Sequence, residues 1–568
     1  MTNSKHEQLS QERKKLQAEG RLPPWYSTPA WQMFKSRYLV EEEGDVRTRF
    51  RKIAQLARYL PEPYATEYEQ KFYDLMDTNV LSPSSPVLAN TNTNPPRGMN
   101  VSCSGQDIPD NVHGFYQKLC ETADLTKNAF GTSGSFSSIR PRGAPISTGG
   151  AASGAVPVIE DFFTCASKIS QGGIRQGSFA AYLHMDHGDF DEACDSLHTD
   201  HKGKNYGWII TDVFVNRLRA KEPDTLRRWK KAIHTKLLTG KGYLFFIDKA
   251  NRHRPDMYKK LGLDIKASNL CTEIMLHSSE EYSFSCILSS LNLLHWDKIK
   301  NSDAVFTAMV FLDCLCSDFI AKSEGVIGLE KVREFTLKGR AVGLGTMGFH
   351  TYLQSKRIPY ESLEAHYLNT EIFKHIHDET LRASKWLAEL LGEPEWCKGY
   401  GVRNTHRTAQ APTKSTAGLM GGMSESTSAD PAMAYTAGSA AGEIARIPPV
   451  FLELMKEKGV YNQDTITDII QHVGSVQHVD WLDDHEKQVF KTAFEIDPWV
   501  VFRHAVRRQK YLCQGQSLNF YLPENDQTEE LISDLMSACA MEEEILSQYY
   551  IYTRSGVVIS DECVACSA

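Results

Sequence analysis

Apolar residues recur at three- and four-residue spacings through Asp45 to Tyr59 and Ala65 to Leu75, the period of helices with one buried face. Residues 1–80 therefore predict a small helical N-terminal region. From Leu81 to Asn100 the pattern lapses into Ser, Pro, Asn and Gly, which predicts turns and loops. Beyond Val101, short apolar runs alternate with helical stretches and Gly-rich joints as far as Gln548. Gly242 to Asp248 (GYLFFID) and Ser285 to Leu293 (SCILSSLNL) are examples. That alternation predicts an α/β protein with buried strands. Glu529 to Glu544 predicts a surface helix, and Gln548 to Tyr552 (QYYIY) a strand. There is no repeat of fixed period. Residues 554–568 are polar, with Gly and Ser, and predict a mobile tail.

Composition narrows the class. The chain has 568 residues, 41% hydrophobic and 24% charged, enough for a large globular core. Its net charge of −8 gives no overall attraction to nucleic acid or to an anionic membrane surface. An anionic ligand must then be held by local groups. Met1 to Gly20 is polar and lacks the apolar core of a signal peptide. No apolar run is read near the ~18 residues of a membrane span; Ala308 to Cys316 is short and broken by acids. The expectation is a cytoplasmic protein. Thirteen cysteines, spread over a long chain, do not fit a secreted disulfide framework. Cys120, Cys165, Cys194, Cys314, Cys316, Cys397, Cys513 and Cys539 read as small buried hydrophobes.

The other five cysteines sit among residues that suggest chemistry. In Ser268-Asn269-Leu270-Cys271-Thr272-Glu273-Ile274, three functional groups are spaced two apart. In an extended segment they would share a face. A thiol there can become a thiyl radical, a carboxylate can take a hydroxyl proton, and an amide can hold that hydroxyl. A β-segment with a merely buried Cys fits the spacing equally. Cys103 and Cys286 could meet and supply two electrons by forming a disulfide, though spacing alone does not bring them together. Cys563-Val564-Ala565-Cys566 suits zinc or dithiol exchange; no second C-x-x-C completes a zinc site. Tyr549-Tyr550 could be packing residues or a redox pair, and in a regular strand they would face opposite ways. Ala411-Pro412-Thr413-Lys414-Ser415-Thr416 before a helical stretch can cradle a phosphate on free backbone N–H groups, or be a plain cap. Ser170-Gln171-Gly172-Gly173-Ile174-Arg175-Gln176-Gly177 is a glycine-rich loop around one guanidinium.

Taken in order, these segments resemble the catalytic large subunit of class I ribonucleotide reductases. The resemblance runs from about Ser82 to the C-terminus and is carried by SNLCTEI (268–274), SQGGIRQG (170–177), APTKST (411–416), CILSSLNL (286–293) and QYYIYTR (548–554). It implies a ten-stranded α/β barrel, two antiparallel halves of five parallel strands, with a central finger loop, over residues 81–553. It implies that Cys271 forms the thiyl radical, Glu273 takes the 3′-hydroxyl proton and Asn269 holds the substrate hydroxyls. Cys103 and Cys286 would be the reducing pair. Tyr549 and Tyr550 would pass the radical inward from a separate small subunit that holds a metal-based or tyrosyl oxidant. No cofactor is expected on this chain. Cys563 and Cys566 on the tail 554–568 would re-reduce the active-site disulfide and exchange with thioredoxin or glutaredoxin.

The resemblance also assigns Ser85, Ser102, Thr413, Lys414, Ser415 and Thr416 to the substrate phosphate. Asp110, Arg140, Gln171 and Arg175 fall at an allosteric site for a deoxynucleoside triphosphate or ATP, at a homodimer interface. Lys414 stands where the family often has Glu, which bears on the phosphate state preferred. The short N-terminal region lacks the Gly- or Lys-rich start of the family's ATP cone, so inhibition by excess dATP is not expected. An adenosylcobalamin-dependent class II reductase shares most of these motifs, and Tyr549-Tyr550 separates the two. A regulatory protein that has lost activity is disfavoured by the five placed cysteines, and a zinc module by the lone C-x-x-C.

Overall fold

The computed structural model describes residues 5–171, 175–439 and 442–554. Five parallel strands form one side of the molecule, in the order Tyr243–Phe246, Tyr206–Ile210, Phe179–His184, Gly131–Ser135 and Cys103–Asp107. Phe284–Cys286 pairs antiparallel with the last of these. Its continuation, Leu288–Asn292, runs parallel to Gly343–Met347. Parallel bridges then link Leu344 to Thr408 and Gln410 to Gln516. The chain beyond Gln516 continues as Phe520–Leu522, parallel to Ile551–Thr553. Ser547–Gln548, just before that last strand, pairs antiparallel with Tyr243–Phe246.

The circle is thereby closed: two sets of five parallel segments meet antiparallel at two seams, the barrel expected from the resemblance. Closure leaves no free edge in the ring. An outer strand, Leu81–Pro83, pairs antiparallel with Leu288–Asn292.

Strand composition reflects what each strand faces. Phe179–His184 and Tyr206–Ile210 are apolar and buried, as parallel strands covered on both faces should be. Cys103–Asp107 (CSGQD) and Gly131–Ser135 (GTSGS) are buried as well, yet made of small polar residues. A Cβ on Gly105 would stand 2.2 Å from the Phe284 ring, so only glycine admits that ring. Small side chains here leave the barrel interior room for an inserted loop.

That loop is the finger. An antiparallel bridge between Ile265 and His277 closes its base. Side chains from the barrel wall grip its backbone. Ser133 Oγ donates to Ser268 O at 2.9 Å, Tyr182 Oη to Asn269 O at 2.6 Å, Ser517 Oγ to Cys271 O at 2.6 Å and Ser547 Oγ to Thr272 O at 2.8 Å. Gly515 N–H donates to Glu273 O at 2.8 Å. A buried loop needs such partners because its own carbonyls cannot reach water.

The N-terminal helices Lys5–Ala18, Thr28–Arg37, Val46–Ala54 and Tyr64–Asp77 share one hydrophobic core with Leu81, Val87, Leu88 and Leu291. Buried Arg49 ties them down, donating to Leu88 O at 2.8 Å and also to Thr91 O. The stretch 81–100, expected as turns and loops, instead carries the strand Leu81–Pro83 and the buried helix Ser85–Asn90. Pro86 sits in the first turn of that helix, where a missing N–H costs nothing.

A second correction concerns the apolar run at 308–316. It belongs to the helix Ala304–Lys322, which is long and apolar enough by composition to cross a membrane. This helix is instead mostly buried in the core. Its Asp313 carboxylate meets Arg340 at 2.8 Å and Arg403 at 3.0 Å. The helix Thr528–Met541, expected on the surface, has one side in the core through Ile532, Leu535, Met536 and Cys539.

Candidate active site

Each seam brings a separate pair of side chains to the finger. At the first, Cys103 and Cys286 are directly opposed across the antiparallel strands. Such partners have Cα atoms about 4.5–5.5 Å apart, within the span of about 4.4–6.8 Å that a disulfide bridges. Both are free thiols here, and both are buried. Burial, then the adjoining Cys103 thiol, push the Cys286 thiol well above its ordinary value, so it stays protonated.

The finger tip lies beside this pair. Asn269 Nδ2 stands 3.5 Å from Cys103 Sγ, while Asn269 Oδ1 accepts from Ile274 N–H at 3.2 Å. The expected side-by-side placement of Asn269, Cys271 and Glu273 arises differently from the extended alternation assumed. The tip is a turn, with Thr272 in the left-handed region at φ 69°. That turn brings Cys271 and Glu273 to one cavity, with Asn269 next to them against Cys103. Burial raises the Glu273 carboxyl to about 7, against stabilising hydrogen bonds from its own backbone, Asn269 and Ser517. A carboxyl poised near neutrality can take a proton and return it.

The cavity measures about 440 Å³ including its open mouth. Cys103, Cys271 and Glu273 line it, with Ser82, Ser84, Ser85, Ser102, Ser289, Ser290, Thr413 and Thr416. Thr413, at φ 60°, precedes the helix Lys414–Leu419, its hydroxyl oxygen accepting from Ser426 N–H at 2.8 Å. Of the expected phosphate residues, Ser85, Ser102, Thr413 and Thr416 reach the cavity wall. Lys414 and Ser415 lie in the adjoining helical turn and are not part of that wall. Tyr38 from the N-terminal helices shares a 3.0 Å hydrogen bond with Ser85.

At the second seam, regular pairing stops at Gln548 and resumes at Ile551. Tyr549 and Tyr550 lie in that interval, where Tyr549 N–H donates to Leu518 O at 2.8 Å and Phe520 N–H to Tyr550 O at 3.1 Å, and their ring centroids lie 4.3 Å apart. Tyr549 Oη is 3.5 Å from Cys271 Sγ. Tyr243, from the facing strand, donates to Tyr550 Oη at 2.9 Å and packs on Tyr549 with 4.5 Å between centroids. Buried Lys236 donates to Tyr549 O at 2.7 Å and Gly242 O at 2.9 Å. Burial pushes the Lys236 amine well below its ordinary value. Tyr182, Ser517, Tyr243 and Lys236 were not expected from the sequence. Only Tyr243, inside GYLFFID, lay in a segment that the pattern marked as a buried strand.

The proposed effector residues fall away from this cavity. Asp110 accepts from Arg140 Nε at 2.8 Å and from Arg140 N–H at 3.2 Å, on a partly exposed surface. Either side of the glycines, Ser170–Gln171 and Arg175–Gln176 pair antiparallel, with Gln171 opposite Arg175. Residues 172–174 and the side chains of Gln171 and Arg175 are outside the described part of the chain, as are Cys563 and Cys566.

Comparison with known proteins bears on this arrangement. The family model for the ribonucleotide reductase barrel domain matches residues 101–228, 223–397 and 394–550. A ribonucleoside-diphosphate reductase large subunit of Invertebrate iridescent virus 3 is 29% identical over 569 residues, covering 86% of this chain and 88% of that one. A vitamin B12-dependent ribonucleoside-diphosphate reductase of Thermoplasma acidophilum is 30% identical, covering 80% of this chain and 61% of its own length. Among solved structures, the Actinobacillus ureae class Id ribonucleotide reductase alpha subunit superposes with a TM-score of 0.85 at 37% identity, covering 94% and 98% of the two chains.

Proposed function

The chain belongs to the ribonucleotide reductase family, and on that premise we propose that it is the large, catalytic subunit of a class I enzyme reducing ribonucleoside diphosphates to 2′-deoxyribonucleotides. One observation carries the reading. Cys103 and Cys271, distant in sequence, line one cavity, Cys286 stands opposite Cys103 across the seam, and a buried tyrosine stands against Cys271.

In the proposed cycle, the Cys271 thiyl radical removes the 3′-hydrogen of the ribose while Glu273 takes the 3′-hydroxyl proton. Cys103 gives its proton to the departing 2′-hydroxyl, which leaves as water. Cys286 supplies the hydrogen that C2′ gains, Glu273 returns its proton to the 3′-oxygen, and Cys103 and Cys286, having given up two electrons, become a disulfide. The hydrogen held on Cys271 then returns to C3′. Asn269 hydrogen-bonds the sugar hydroxyls. Burial of Cys271, Glu273 and Cys286 keeps water from the radical intermediates. The cavity hydroxyls of Ser85, Ser102, Thr413 and Thr416 hold the phosphates, with Lys414 and Ser415 behind them.

The radical comes from a small subunit carrying a metal-based oxidant and passes through Tyr550 and Tyr549. That route distinguishes class I from the adenosylcobalamin-dependent reading. Residues 1–80 act as a helical N-terminal region, 81–553 as the barrel and 554–568 as a redox tail. On the tail, Cys563 and Cys566 reduce the spent disulfide and exchange with thioredoxin or glutaredoxin, in the cytoplasm. Asp110, Arg140, Gln171 and Arg175 bind a deoxynucleoside triphosphate or ATP at a homodimer interface. Val112 and Tyr116, one helical turn apart and just after Asp110, are 69% and 57% exposed, an apolar pair that a second copy could cover.

The deciding assay gives the purified chain a ribonucleoside diphosphate and a dithiol, with either the small subunit or adenosylcobalamin. Deoxynucleotide formed only with the small subunit supports class I. Turnover with adenosylcobalamin alone overturns it.

A further inference from the structure

Lys236 lies near the end of the helix Pro223–Thr239 and is 1% exposed. Lysine is almost never buried so deeply without a carboxylate partner, yet both acceptors of Lys236 are backbone carbonyls, Tyr549 O at 2.7 Å and Gly242 O at 2.9 Å. Burial holds the amine well below its ordinary value, which favours the uncharged form. A neutral amine has two N–H groups, and two carbonyls receive them. An apolar side chain of similar length would fill the space without the cost of desolvating a nitrogen. What the nitrogen adds is the link between those carbonyls.

The two carbonyls belong to the two strands of the second seam. Ser547–Gln548 pairs antiparallel with Tyr243–Phe246, ending with Gln548 opposite Leu244. One residue further on, Lys236 joins Tyr549 O on one strand to Gly242 O at the start of the other. The same helix end then holds Ile551, whose N–H donates to Gly240 O at 3.2 Å. The other side of the segment is held by the barrel wall. There Tyr549 N–H donates to Leu518 O at 2.8 Å and Tyr550 N–H to Asn519 Oδ1 at 3.1 Å. The tyrosine pair is thus gripped between a wall strand and a helix end, and Lys236 supplies a rung made by a side chain.

We propose that Lys236 is a positioning residue for radical transfer: it ties the strand carrying Tyr243 to the segment carrying Tyr549, and so holds the Tyr549 hydroxyl against Cys271. This rests on the radical-transfer reading of Tyr549 given above. Tyr549 Oη is 3.5 Å from Cys271 Sγ, and Tyr243 packs on the Tyr549 ring with 4.5 Å between centroids. Transfer over such a gap depends steeply on its width, and a misplacement of about 1 Å costs on the order of 10²-fold. Lys236 acts through the Tyr549 backbone.

The test assays Lys236→Met in the full chain with saturating small subunit, a ribonucleoside diphosphate and an effector triphosphate. Methionine nearly keeps the length and lacks the donor. The turnover number should fall by about 10²-fold, with KM and effector affinity unchanged. Lys249→Met is the comparator. Lys249 is also buried and donates to carbonyls away from the tyrosines, Cys539 O and Glu542 O at 2.7 Å each and Ile545 O at 3.4 Å. Its loss should lower Tm at least as much, with a turnover number within about twofold of the unaltered enzyme. Lys236→Leu, which also lacks the nitrogen, repeats the test if the methionine variant does not fold. A folded Lys236 variant within about twofold of the unaltered enzyme overturns the proposal, as does a loss that Lys249→Met matches. Tyr549→Phe is run beside them. Its inactivity keeps the radical route whatever Lys236 shows, whereas its normal turnover overturns the route and this proposal with it.

Discussion

The hydroxyl of Tyr549 stands 3.5 Å from the sulfur of Cys271, with both groups buried. At that separation a hydrogen atom can pass between oxygen and sulfur directly. Two substitutions test whether it does. Tyr549→Phe keeps the ring and Cys271→Ser keeps the shape, so each should retain substrate and effector binding by calorimetry. Each should lose all turnover with the small subunit present. Substantial activity in Cys271→Ser would mean that the finger does not carry the radical.

Glu273 makes a prediction about pH. Burial raises its carboxyl to about 7, so below that pH it is mostly protonated and cannot accept the 3′-hydroxyl proton. Turnover should fall as pH drops through about 7 and level off above it. Glu273→Gln should lose about 10²- to 10⁴-fold in turnover and no longer show this limb. Ser517 Oγ lies 3.1 Å from the Glu273 carboxylate. Ser517→Ala removes a hydrogen bond that favours the charged form, so the limb should move to higher pH. An unmoved limb would assign the titration to another group.

The opposed cysteines at the first seam predict where oxidation ends. Enzyme reduced beforehand, given substrate and no reductant, should accumulate a Cys103–Cys286 disulfide, read by alkylation and peptide mass spectrometry. Cys563→Ser should complete that single turnover and then stall with thioredoxin. Normal cycling by Cys563→Ser would remove the tail from the electron path.

Asp313 predicts a stability effect remote from catalysis. It is buried between Arg340 and Arg403, which hold its carboxyl below the ordinary range despite desolvation. Removing it leaves two guanidinium groups in the core without their counter-charge. Asp313→Ala should cost about 3–5 kcal/mol, measured by chemical denaturation. Because the folded value is depressed, this stabilisation is present above the unfolded carboxylate's value and lost as pH falls through the folded one.

Some of this was legible in the sequence and some was hidden, for physical reasons. The apolar runs GYLFFID and SCILSSLNL announced strands because those strands are covered on both faces. CSGQD and GTSGS did not, because a strand that makes room for an inserted loop is built from small polar residues that resemble a turn. The chemistry of the finger could be read from its residue types, whereas its geometry could not. Spacing suggested an extended segment, and the left-handed Thr272 turns it into a tip. In a regular strand Tyr549 and Tyr550 would face opposite ways; they lie instead between the strands Ser547–Gln548 and Ile551–Thr553, where their rings come together. Tyr182, Ser517 and Lys236 act on the backbone of distant segments, an effect that no local pattern records.

The last segment to join the ring, 547–553, is also the one that carries the tyrosine pair. During synthesis it leaves the ribosome after every other wall strand. Until it docks, the barrel is open and Cys271 has no donor beside it. On the proposed route, a chain lacking this segment has no tyrosine hydroxyl beside Cys271 and receives no radical from the small subunit.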